Sequence, residues 1–78
     1  MSPTFLTYKG YRIFVWSKEE DRQHIHVKKE ENECKYWLEP VIELAENKGF
    51  KEHELNEIKK IIEEYETKFK EQWRQHFS

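Results

Sequence analysis

The stretch "ENKGF", residues 46–50, divides this chain into two halves whose side chains follow different periods. Before it, short runs rich in β-branched and aromatic residues alternate with turn-forming and charged residues, which is typical of β-strands. After it, apolar residues recur at steps of three and four, which is typical of an amphipathic helix. The sequence therefore predicts an α+β fold, with a β-meander over residues 1–46 and a helix over residues 50–77.

The first half contains several strand signals, of which "YRIFVW", residues 11–16, is the strongest. The preceding Lys9-Gly10 pair predicts a turn, so residues 4–8 are expected to pair back as a hairpin. The next predicted strands are "HIHVKK", residues 24–29, and "CKYWL", residues 34–38, joined by the turn "EENE". "PVIEL", residues 40–44, is a candidate final strand, at an edge because Pro40 has no N–H to donate. We predict an antiparallel meander of three to five strands.

The second half carries one apolar stripe, formed by Leu55, Ile58, Ile62, Tyr65, Phe69, Trp73 and Phe77. No Pro or Gly interrupts residues 50–78, so one long C-terminal helix is predicted, packed on the sheet. Such a helix would be about 39 Å long, whereas a compact chain of this length is roughly 30 Å across. Either the helix bends near residues 65–68, or its last turns contact another chain. Phe69, Trp73 and Phe77 are the candidate interface residues of a homodimer, and Trp73 is expected to be buried in either case.

The composition indicates a single folded domain, residues 1–78. The chain is 36% hydrophobic and contains three Trp, four Tyr and five Phe, an aromatic content that disordered chains lack. Its net charge is −2 and neither half is a basic arm, so nucleic-acid binding is not indicated. A local basic patch of Arg12, Lys28, Lys29 and Lys35 stays possible on the folded surface.

The cysteine content and the absence of recognisable targeting segments favour a cytoplasmic location. The single Cys34 has no second cysteine for an intramolecular disulfide, and we expect it to be a small buried side chain. No signal peptide or transmembrane run is recognised, so no membrane association is expected. The sequence has no Gly-rich phosphate loop, CxxC pair or G-x-S-x-G motif, and no cofactor is therefore expected.

Two histidines one residue apart, His24 and His26, raise the main functional question. On a strand they share one face with Lys28, while Ile25 and Val27 lie on the other face. The pair is open to three interpretations: the solvent-facing side of an ordinary strand, a binding or catalytic surface, and half of a metal site.

The catalytic and metal interpretations need further residues. Two imidazoles can act as acid and base on a nucleic-acid substrate, with Arg12 or Lys28 holding phosphate. A metal site needs a third ligand beside His24 and His26, for which Glu33, Glu43 and His53 are candidates. No recognised spacing places any of those three.

Several of these features together resemble a small bacterial family, domain of unknown function 4160. They are the "GYRIFVW" strand, the "HIHV" strand about ten residues later and a Trp near the end, over residues 3–77. The resemblance singles out Gly10, Arg12, His24, His26 and Trp73. It implies small cytoplasmic proteins encoded beside a second small protein, suspected of forming toxin–antitoxin-like pairs. Where the family commonly has prolines before the first histidine, this chain has Arg22-Gln23.

Two functional hypotheses follow. The first is a protein-interaction module that binds a small partner protein encoded nearby, or a second copy through the C-terminal helix. The second is a small ribonuclease-like toxin with His24 and His26 as acid and base, or a metal site built on the same pair. The overlong apolar helix and the lack of a complete catalytic set favour the interaction module over an enzyme.

Overall fold

The computed structural model describes residues 4–15 and 22–77, with side chains described up to residue 75. Within these ranges the elements are β1 (Thr4–Tyr8), β2 (Tyr11–Phe14), β3 (His24–Lys29), β4 (Asn32–Trp37), β5 (Glu43–Lys48), α1 (Glu52–Glu64) and α2 (Glu66–Phe77). The five strands form one sheet in chain order, and every neighbouring pair is antiparallel. The predicted α+β fold with an antiparallel meander is confirmed.

Two tight turns build the hairpins. Lys9 and Gly10 both have positive φ, 52° and 85°, and they join Tyr8 to its cross-strand partner Tyr11. Positive φ at both central residues matches the right-handed twist of the two strands, and Gly adopts it without steric cost. A second two-residue turn inside the predicted "EENE" segment joins β3 to β4.

The last strand lies further along the chain than predicted. The expected strand was "PVIEL", residues 40–44, whereas β5 spans Glu43–Lys48. Its side chains are mostly exposed, so it has no alternating apolar pattern from which it could be recognised. Backbone pairing with β4 holds it in the sheet, and opposite charges face each other across the two strands at Glu33–Lys48 and Lys35–Glu46.

One face of the sheet packs against both helices and forms the core. The fully buried side chains of this core include Ile13, Val15, Ile25, Val27, Leu38, Ile58, Ile62 and Phe69. Two tyrosine hydroxyls add polar links to α1: Tyr11 donates to the Glu57 carboxylate at 2.9 Å, and Tyr36 donates to the Leu55 carbonyl at 3.2 Å. The predicted burial of Cys34 is confirmed, since it is 2% exposed.

The predicted long C-terminal helix is divided into two helices that meet at Tyr65, within residues 65–68, where a bend was one of the two predicted alternatives. No Gly or Pro stands at the break, so the local sequence does not force it. The reason lies in the size of the fold, whose longest dimension is 34 Å and whose radius of gyration is 11.5 Å. Because an unbroken helix would extend past the sheet, the break lets Phe69 and Trp73 pack inside the chain, where they are 0% and 7% exposed.

The length and polarity of the two helices decide whether either could span a membrane. In the part of the chain that the structure describes, neither helix is both long and apolar enough to cross a membrane.

Candidate functional site

The histidines lie on the face of the sheet opposite the core residues Ile25 and Val27. We call this the histidine face, and at its His24 end it also meets Trp73 of α2. Ile25 and Val27 belong to the core, so the alternating His24 and His26 are directed to the other side of β3. In the three central strands β2, β3 and β4, the register places eight side chains on this face: Arg12, Phe14, His24, His26, Lys28, Glu33, Lys35 and Trp37.

His24 is fully buried, at 0% exposed, which makes the solvent-facing interpretation wrong for this residue. Its ring meets those of Trp37 and Trp73 edge-on, with centroids 5.8 and 6.1 Å away. Its Nδ1 lies 2.7 Å from the Arg22 carbonyl oxygen. Because a carbonyl only accepts, Nδ1 carries the hydrogen, and Nε2 is the nitrogen that holds the lone pair in the neutral ring.

His26 is also buried, at 7% exposed, so a solvent-facing pair is excluded. Its ring stacks on Phe14 with a centroid distance of 5.5 Å and an interplanar angle of 24°. It meets His24 edge-on at 5.5 Å, and its Nδ1 lies 3.7 Å from a Glu33 carboxylate oxygen. Phe14, His26, His24 and Trp37 thus form a continuous series of ring contacts across three strands, which we call the aromatic run.

An arginine covers the first ring of this run. The guanidinium carbon of Arg12 lies 4.9 Å from the Phe14 ring centroid, and its Nε donates to the Thr4 hydroxyl at 3.0 Å. Arg12 itself is exposed. Its cross-strand partner on β3 is Lys28, also exposed, so two positive charges stand side by side at the rim of the histidine face.

Two more cations lie against Trp37, the last ring of the run. The Arg22 guanidinium carbon is 4.2 Å from its centroid, and the Lys35 ammonium is 4.4 Å away. Arg22 also donates from Nε to the Glu39 carbonyl at 2.7 Å. Desolvated cations against an indole ring are held more strongly than cations in open water.

The structure brings together all four candidate catalytic residues, since Arg12, His24, His26 and Lys28 share the histidine face. It divides the predicted basic patch, because Lys29 lies over the Tyr11 ring at 4.8 Å, on the helix side. Phe14, Arg22 and Trp37 were not among the residues predicted for the site. Strand alternation combined with the register of β2, β3 and β4 would have placed Phe14 and Trp37 beside the histidines.

The metal interpretation needs a third ligand near both imidazoles. Among the described residues, no group of three His, Cys, Asp or Glu side chains is placed to hold a metal ion. Glu33 approaches His26, Glu43 is the cross-strand partner of Trp37, and His53 lies on α1 beyond the sheet.

Two of the three predicted interface residues belong to the core instead. Phe69 and Trp73 are buried within the chain, which confirms the expected burial of Trp73, while the Phe77 side chain lies outside the described residues. Burial raises the pKa of the Cys34 thiol to about 12, which keeps it in the protonated, weakly nucleophilic form near neutral pH.

Comparison of the chain with known proteins identifies one family. No curated protein and no solved structure matches the chain. The profile of one family does match, over residues 10–74, a range that includes the histidine face, α1 and most of α2 with Trp73. The chain therefore belongs to the family described as Domain of unknown function (DUF4160).

Proposed function

We propose that the chain is a protein-interaction module that acts in the bacterial cytoplasm, as one half of a two-protein pair, and contacts its small partner protein through the histidine face. The observation that carries the proposal is the make-up of this face. Arg12 and Lys28 are exposed at its rim and Trp37 is half-buried, so these side chains are accessible to a partner, while the other three rings of the aromatic run are buried and support them. Arginine and aromatic side chains held in this way are the residue types enriched at protein–protein hot spots.

The mixed charge of the histidine face favours a protein partner over a nucleic acid. Glu33 lies among the cations on β4, and Glu43 and Glu46 stand beside it on β5. Nucleic-acid affinity depends on neutralising many phosphates, and interspersed carboxylates oppose it. The net charge of −2 works in the same direction.

A homodimer through the C-terminal helix has less support than a different partner. Phe69 is 0% exposed and Trp73 is 7% exposed in the single chain, so neither ring is left to anchor a second copy. The proposal therefore places the contact on the sheet and assigns the apolar residues of α2 to the core.

The acid–base alternative has one observation in its favour, which is that Arg12 and Lys28 share a face with the two imidazoles. Against it, a ring that is 0% exposed, as in His24, has no surface to offer a substrate. Induced expression of the wild type and of His26→Gln tests this alternative. Growth arrest that requires His26 in a folded variant would replace the interaction module with the ribonuclease-like toxin.

The direct test of the proposed function is co-expression with the protein encoded by the adjacent gene, followed by native mass spectrometry of the untagged complex. Lys28→Glu reverses a charge at the rim of the histidine face, and Lys59→Glu makes the same change on the exposed side of α1. We expect the first variant to weaken the complex about tenfold or more, through lost attraction and new repulsion, and the second to bind as wild type does. Equal binding by all three proteins would refute the assignment of this face.

A further inference from the structure

We propose that Arg12 and Arg22 are two carboxylate clamps, one at each end of the aromatic run, which together bind an acidic segment of the partner protein. The inference rests on the proposed function and adds the chemistry that the partner presents. It also adds Arg22, which none of the functional interpretations of the sequence included.

The two arginines are held in the same way. Each guanidinium lies over an aromatic ring, Arg12 on Phe14 at 4.9 Å and Arg22 on Trp37 at 4.2 Å. Each Nε is occupied by an oxygen acceptor, at 3.0 Å for Arg12 and 2.7 Å for Arg22. Ring contact and hydrogen bond together fix the plane of the guanidinium before any ligand arrives.

The remaining donors of each guanidinium are its two terminal nitrogens. Within the described part of the chain, these nitrogens make no hydrogen bond or ion pair in Arg12 or in Arg22. A planar pair of N–H donors matches the two oxygens of a carboxylate, and a pre-oriented fork loses less conformational entropy on binding.

The spacing of the clamps defines the segment that fits. Phe14 on β2 pairs with His26, and Trp37 on β4 pairs with His24, so the two supporting rings are two strands apart and offset by two residues. From strand geometry this separation is about 12 Å between backbones. An extended partner segment covers that distance in about four residues, which places its two acidic side chains about four positions apart.

The positive charge of Lys28 beside Arg12 also favours the binding of an anion at this clamp. Arg12 and Lys28 are direct cross-strand partners, and like charges in this position repel. Lys28 also faces Glu33 on β4, which offsets part of this repulsion, but in the described residues the two side chains do not form an ion pair. Single carboxylates relieve it, whereas a run of phosphates would also meet Glu33 and Glu46 on the neighbouring strands.

The test is an NMR titration of the full chain that follows the Nε–Hε signals of the arginines, with a hexaglutamate peptide as the probe. We expect saturable shifts of the Arg12 and Arg22 signals. Arg12→Lys and Arg22→Lys keep the charge but remove the planar fork, and each should weaken binding about tenfold. Lys59→Gln removes a charge on α1 and should leave the affinity unchanged; thermal unfolding checks that every variant is folded.

Three outcomes would overturn the clamps. They are the absence of saturable shifts, wild-type affinity in both lysine variants, and a single-stranded hexanucleotide that shifts the arginines while hexaglutamate does not. The Lys28→Glu experiment separates this failure from failure of the proposed function. If the partner complex depends on Lys28 but the arginine signals ignore hexaglutamate, only the clamps are wrong; if no partner binds the histidine face, the proposed function falls instead.

Discussion

Truncation of Trp73 to alanine gives the strictest test of how the second half of the chain folds. The side chain is 7% exposed, and its ring contacts that of His24 at 6.1 Å. A buried Trp covers about 150–250 Å² of surface, which at about 25 cal/mol per Å² corresponds to roughly 4–6 kcal/mol before corrections. The methyl group retained in alanine and a compact unfolded state reduce this value. We expect Trp73→Ala to lower the free energy of unfolding by about 3–5 kcal/mol.

The assay is urea unfolding followed by far-UV circular dichroism, because three tryptophans complicate a fluorescence signal. A chain of this length has a total stability of roughly 4–12 kcal/mol, so the alanine variant is close to the limit of folding. Trp73→Phe keeps an aromatic ring and should lose about 1–2 kcal/mol, which stays measurable. Arg74→Ala changes the exposed neighbouring residue and serves as the control. A loss below about 1 kcal/mol in Trp73→Ala would refute the packing of α2 described above.

Three further predictions concern the backbone and the titrating groups. Gly49 has φ of 101°, and a Cβ there would clash with the Asn32 side-chain oxygen. Gly49→Ala should therefore lower the free energy of unfolding by about 1–2 kcal/mol, measured in urea. A neutral effect would contradict this. Burial raises the pKa of Cys34 from 9.0 to about 12, so its contribution to stability is complete below pH 9 and is lost as the pH rises towards 12. Cys34→Ser should flatten that alkaline loss, and an unchanged pH profile would count against it. The hydrogen bond from Tyr11 lowers the pKa of Glu57 below its ordinary 4.5. The contribution of Glu57 to the stability of the fold is therefore present above that pH and is lost in more acidic solution. Glu57→Gln should show a smaller acid-induced loss of stability, measured by thermal unfolding across this range.

Local patterns predicted most of the secondary structure because burial imposes a period on the sequence. Strands β1 to β4 were recognised within a few residues: β2 from its β-branched and aromatic residues, β3 from its alternation, and β1 from the turn that joins it to β2. Strand β5 had no such signal, because it is an exposed edge strand held by backbone pairing and charge. The break at Tyr65 was predicted only as one of two alternatives, since it follows from the size of the sheet and not from a residue at the break.

The location of the candidate site was predictable from the sequence, but the burial of its histidines was not. The spacing of His24 and His26 correctly put both rings on one face of β3, opposite Ile25 and Val27. Their burial depends on residues far away in the sequence, such as Trp73, whose position no local pattern reveals. The contact of Arg22 with Trp37 was missed for the same reason, because it needs the register of β3 and β4, whereas Arg12 and Phe14 are two residues apart on β2.

His24 connects the two halves of the chain, and this connection has a consequence for the proposed binding face. Its Nδ1–H holds the backbone of Arg22, whose guanidinium lies on Trp37, while its ring contacts Trp73 of α2. A ligand that engages Arg22 on the folded chain therefore stabilises the same packing that the C-terminal helix needs, since anything that binds only the folded state raises its stability. By the same linkage, loosening Trp73 should weaken binding at Arg22 more than at Arg12, whose supports are Phe14 and Thr4 on the far side of the run.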